Sequence, residues 1–132
     1  MDSREIHLRM HGILVKASLL YSVEPPKIIL HVNGSEYSCR ADDLFSCFIK
    51  LRLMLPHVEF LCKGAKINVY PSRASSQMSA GLMAYELAFG KQATRNNLIN
   101  IFDYDTHGLT NDPLAQGEFF ERWIESLNLR SE

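Results

Sequence analysis

The chain has 132 residues, 46% hydrophobic and 22% charged, proportions of a globular domain that exclude a disordered or membrane-spanning segment. A formal net charge of −1 gives no global attraction to nucleic acid or to an anionic membrane. Three cysteines, Cys39, Cys47 and Cys62, are an odd number without metal or redox spacing, which argues against a disulfide framework and predicts a reducing compartment, the cytoplasm.

In chain order, the first dozen residues read as a polar N-terminus. Asp2 and Glu5 stand where a secretory signal would carry basic residues, and Lys16 interrupts the apolar stretch 12–21, so no signal segment is expected. Residues 13–21 are apolar and partly β-branched, a strand pattern that ends before Glu24-Pro25-Pro26. Residues 27–32 and 35–39 flank Asn33-Gly34, a dipeptide that tolerates positive φ twice and predicts a β-hairpin.

Asp42-Asp43 then opens a helix with Leu44, Phe48, Leu51 and Leu55 on one stripe, Lys50 and Arg52 near its negative end, and Pro56 as its stop. Alternation over 58–62 and 66–70, around Lys63-Gly64-Ala65, predicts two more strands that pair through a tight turn. A second helix is expected from Ala74 or Ser75, with Met78, Leu82, Tyr85 and Phe89 on one stripe and Gly90 as its end. Ala80, Ala84 and Ala88 would give that helix a strip of small residues for close packing. Residues 98–102 read as a central strand, 103–113 as a polar loop. A final helix places Phe119, Trp123 and Leu127 on its packing face, with Phe120 and Ile124 beside them and Glu118, Glu121 and Glu125 among its polar positions. The expected fold is a single α+β domain over residues 1–132, a mainly antiparallel sheet of about six strands with three helices. No internal repeat appears.

Chemistry-bearing patterns are sparse. His7-x-x-x-His11 has the helical spacing for two metal ligands but precedes a strand and has no third ligand nearby. Cys47 and Cys62 read as small core residues rather than nucleophiles. No nucleophile elbow, Walker loop or dinucleotide fingerprint is present, so no catalytic residue, metal or cofactor is expected. Asp103-x-Asp105, with His107 close by, leaves one enzymatic alternative, a small metal-dependent hydrolase or nuclease. Lys63, Lys66, Arg73 and Ser75 leave another, an anion or nucleic-acid adaptor around a helix start. Its plainer reading is a helix cap and a surface arginine.

Charge is distributed unevenly. Residues 1–102 hold 12 Lys or Arg against 8 Asp or Glu, a balance of +4, and residues 103–132 hold 2 against 7, a balance of −5. Asp103, Asp105, Asp112, Glu118, Glu121 and Glu125 therefore form either a solvated acidic face or a docking surface for a basic partner.

The segment Phe60-Leu61-Cys62-Lys63-Gly64-Ala65-Lys66-Ile67-Asn68-Val69-Tyr70-Pro71-Ser72, continuing through Gln77-Met78-Ser79-Ala80-Gly81-Leu82-Met83-Ala84-Tyr85-Glu86-Leu87 to Ile101-Phe102-Asp103, resembles the immunity proteins of bacterial contact-dependent growth inhibition and related polymorphic-toxin systems. With the helix at Phe45 to Arg52, the resemblance covers roughly residues 42–103. It implies a cytoplasmic, non-enzymatic protein whose partner is the C-terminal domain of a cognate toxin, commonly a nuclease delivered by a neighbouring cell. It implies no direct nucleic-acid or membrane partner, and it transfers no contact residues, since these differ between cognate pairs.

Overall fold

Inward-facing Arg4, Ile6, Leu8 and Met10 alternate with outward-facing Ser3, Glu5, His7 and Arg9, so the chain enters a strand almost at once. In the computed structural model, which describes residues 1–131, this strand is β1 (Asp2–Met10). The polar N-terminus expected from composition is thus an inner member of a sheet, because charged side chains on one face mask the period-2 pattern. β1 pairs antiparallel with β2 (Ile13–Val23) through a turn at His11-Gly12, whose φ values are 51° and 77°. β3 (Pro26–Val32) and β4 (Ser35–Arg40) form the expected hairpin, with Asn33 and Gly34 at φ 50° and 79°. β5 (Val58–Phe60) adds to the far edge, with Leu8 opposite Phe60, giving the order β4-β3-β2-β1-β5.

One face of this sheet is covered by α1 (Leu44–Met54). Asp43 caps the helix by accepting the Ser46 N–H at 2.7 Å, and the helix stops at Leu55, just before Pro56. Phe48 is fully buried and meets Phe60 and Phe102 edge-on, with ring centroids 5.3 and 5.8 Å apart. Burying such a ring contributes about 2–3 kcal/mol. The other face is solvated and carries pairs of opposite charge between strands, Arg9–Glu59 at 2.9 Å and Lys16–Glu5 at 3.8 Å, with His31 Nε2 3.5 Å from Glu36.

The second half departs from the pattern reading in two places. Residues 58–62 and 66–70 do not pair with each other. Lys63–Ala65 is a 3₁₀ turn that sends the chain from the large sheet to a small one, in which β6 (Val69–Tyr70), β7 (Met83–Glu86) and β8 (Leu98–Asn100) pair antiparallel in chain order. The described residues thus form eight strands in two sheets rather than about six in one. The second helix, α2 (Arg73–Ser79), is also far shorter than its apolar periodicity predicts. Ala80 and Gly81 adopt φ 53° and 79°, a left-handed pair that cannot continue a helix, and the Ala80 carbonyl accepts the Leu44 N–H at 2.6 Å. The small-residue strip is therefore no helix face: Ala84 is buried in β7, and Met78 and Phe89 are exposed.

α3 (Pro113–Ser131) completes an α+β domain with three helices. Asp112 caps it by accepting the Leu114 N–H at 3.0 Å, and Pro113 occupies the first turn, where a missing N–H costs nothing. Among the described residues no helix is long and apolar enough to cross a membrane.

Candidate functional site

After β8 the chain runs antiparallel to residues 61–67, with Gly64 N–H donating to Ile101 O at 2.7 Å, Lys63 N–H to Asp103 O at 2.8 Å and Ile67 N–H to Gly108 O at 2.7 Å. This course delivers Asp105 to two lysines. Its Oδ2 accepts from Lys66 Nζ at 2.9 Å and from Lys63 Nζ at 3.1 Å, and its Oδ1 accepts the His107 N–H at 2.9 Å. Lys66 also pairs with Glu86 at 2.5 Å. The His107 N–H and the Lys66 ammonium hold the Asp105 carboxyl well below the usual carboxylate range. Burial alone would lower the Lys66 ammonium, but Glu86 and Asp105 more than offset this and raise it. Asp103 binds Arg4 at 2.9 Å, and Arg4 reaches Asn100 at 3.0 Å. Both carboxylates of the Asp103-x-Asp105 pattern are thus engaged by cations of the chain itself, and the His107 side chain, 91% exposed, has its Nδ1 3.5 Å from Asp105 Oδ1.

The four anion-site candidates divide between two places. Lys63 and Lys66 belong to the Asp105 cluster. Ser75 is buried in a reciprocal cap, accepting Ser72 N–H at 2.9 Å while Ser72 Oγ accepts Ser75 N–H at 3.0 Å. Arg73 is exposed at the start of α2. This is the cap-and-surface-arginine arrangement. His7 lies on β1 with its ring edge-on to Tyr104 at 5.4 Å, and His11 sits in the β1–β2 turn, so the helical spacing of the two histidines has no helix behind it. Among the described residues no three His, Cys, Asp or Glu side chains gather as a metal site.

The three cysteines are free and buried. Burial pushes the Cys47 thiol up to about 11 and the Cys62 thiol up to about 12, values at which sulfur is no nucleophile at neutral pH.

What remains open is α3. Glu118, Glu121 and Glu125 are exposed and, at helical steps of three and four, share one outward line about 10 Å long. Among the described residues none of the three carries an ion pair. Leu114, 74% exposed, and Ile124, 40% exposed, flank this line. Asp103, Asp105 and Asp112 do not join it, being committed to Arg4, to the two lysines and to the helix cap.

The opposite face of α3 is less covered than its periodicity predicts. Phe119 and Trp123 read as core residues, yet both are only half-buried. Phe120 stacks on Tyr70 at 4.6 Å and Phe119 on Phe89 at 4.6 Å. Tyr70, Tyr85, Leu87, Phe120, Trp123 and Leu127 line a groove of about 260 Å³ between α3 and the small sheet. Periodicity could not show this groove, because Tyr85 belongs to β7 rather than to a helix.

No protein-family model matches the chain, and no curated protein matches it.

Proposed function

We propose that this protein is a non-catalytic binding protein that captures and neutralises a cognate bacterial toxin domain in the cytoplasm, docking through the acidic face of α3. The observation that carries the reading is the line of Glu118, Glu121 and Glu125, exposed and without ion pairs among the described residues. Carboxylates that the fold does not use are available to a basic surface, where complementary charge speeds encounter and suppresses wrong partners. The resemblance of residues 42–103 to immunity proteins of contact-dependent growth inhibition supplies the class of partner. A nuclease domain, basic because it binds a polyanion, suits an acidic inhibitor. Engagement of Asp103 by Arg4 and of Asp105 by Lys63 and Lys66 weighs against the hydrolase reading and, by neutralising both lysines, against the anion adaptor.

The test is co-expression with the C-terminal domain of the toxin encoded immediately upstream. The wild-type chain should restore growth and co-purify with the toxin domain. The triple variant Glu118→Lys, Glu121→Lys, Glu125→Lys should associate about tenfold or more slowly at low salt, with the difference shrinking as salt rises. Failure of the wild type to bind or protect removes the reading. Unchanged association by the triple variant removes the α3 face while leaving the neutralising role intact.

A further inference from the structure

α3 is held in two different ways along its length. Gln116, fully buried, donates its Nε2 protons to Gly64 O at 2.8 Å and Lys66 O at 2.7 Å, while its Oε1 accepts from Arg52 at 2.6 Å. Beyond it no described apolar side chain of the helix is fully buried: Phe119, Phe120, Trp123 and Leu127 are half-buried and Ile124 is exposed. The contacts of this part include ring stacks with Tyr70 and Phe89, the Trp123 Nε1–H to Lys91 O bond at 2.9 Å and the Gly90 N–H to Ser126 Oγ bond at 2.8 Å. The groove of about 260 Å³ lies beneath it. Gly117 stands at the junction, and a Cβ added there meets nothing within 4 Å. Packing does not demand a glycine at this position, but a glycine inside a helix lowers the cost of bending it.

We propose that α3 beyond Gly117 is a hinged strap, pinned at Gln116 and able to swing away from Tyr70, Tyr85 and Leu87 so that the groove opens while the rest of the fold stays intact. The inference is independent of the toxin reading, since it uses none of the acidic residues. The hinge has a built-in reporter, because Trp123 is the only tryptophan in the chain and lines the groove.

Acrylamide quenching of Trp123 well below the unfolding temperature tests the strap on the full chain. Gly117→Ala stiffens the hinge without steric conflict and should lower the quenching due to opening about threefold. Ser126→Ala removes the acceptor of the Gly90 N–H and should raise it about threefold. Circular dichroism should show both variants fully folded at that temperature. Equal quenching in the wild type and both variants would overturn the strap, as would differences seen only within the global unfolding transition.

Discussion

The guanidinium of Arg52 donates to the side-chain carbonyl of Gln116 across 2.6 Å, in a place where the two residues are only 3% and 0% exposed. Arg52 also donates to Thr110 O at 2.8 Å and lies 5.3 Å from the Phe48 ring centroid. Burial pulls its guanidinium down to about 10, which still leaves it charged at neutral pH. Gln116→Ala takes one of two hydrogen-bond acceptors from this buried charge and frees the carbonyls of Gly64 and Lys66, so urea unfolding should show a loss of about 3 kcal/mol. Combining Arg52→Met with Gln116→Leu should recover part of the loss by removing the buried charge together with its acceptor. A loss below about 1 kcal/mol for Gln116→Ala would show that water reaches the pair.

Gly64 is dictated by space. A Cβ there would meet Ile101 Cβ and the Ile101 carbonyl oxygen at 2.9 Å and the Phe48 ring at 3.1 Å. Backbone cannot yield as a flexible side chain can, so Gly64→Ala should lower stability by about 1–3 kcal/mol. Thermal unfolding followed by circular dichroism measures this, and an unchanged midpoint would contradict the close approach of residues 63–65 to Ile101.

Asp105 makes stability depend on acidity. The His107 N–H and the Lys66 and Lys63 ammoniums favour its anion in the folded chain, whereas in the unfolded chain an aspartate titrates at about 3.9. Its contribution is therefore complete above the unfolded value and is lost as pH falls toward the lower folded value. Asp105→Asn should cost about 2 kcal/mol at pH 7 and flatten the stability curve below about pH 4. Urea titrations across the acid range would reveal an identical acid slope in both proteins if the cluster were inert.

Asp43 joins two helices. Its Oδ1 caps α1 through Ser46 N–H at 2.7 Å, and its Oδ2 accepts from Ser76 Oγ of α2 at 2.5 Å. Asp43→Ala should cost about 1–2 kcal/mol, whereas Asp42→Ala, one residue earlier and exposed, should stay within about 0.5 kcal/mol. Equal effects of the two substitutions would deny Asp43 its capping role.

Local chemistry was legible where each residue answers to its neighbours: the Asn33-Gly34 turn and the Asp43-to-Pro56 span of α1 follow from turn, cap and stop residues, whereas Pro113, read as the end of a polar loop, is the first residue of α3. The class of fold and its three helices were legible too. The failures share a cause, which is that long-range partners decide between competing local patterns. Residues 82–89 carry a helical stripe, but pairing with β6 and β8 makes 83–86 a strand, as the Ala80-Gly81 break allows. β1 was hidden by its charged outer face, although Gly12 after alternating Ile6, Leu8 and Met10 was the available signal. At the candidate site, one acidic segment of the sequence separates into used and unused carboxylates. Arg4, Lys63 and Lys66 lie 99, 42 and 39 residues from the aspartates they bind, distances at which composition is silent. Arg52 read as a cation at a helix end, and only the fold shows it buried against Gln116.

With Cys39, Cys47 and Cys62 enclosed and burial holding the Cys47 and Cys62 thiols in their protonated form, thiol-directed electrophiles meet no cysteine sulfur on the native surface. Chemical damage to these sulfurs must wait for the chain to open. Alkylation by an excess of iodoacetamide therefore acts as a clock for such excursions, and any change that tightens the core should lengthen the interval between its ticks.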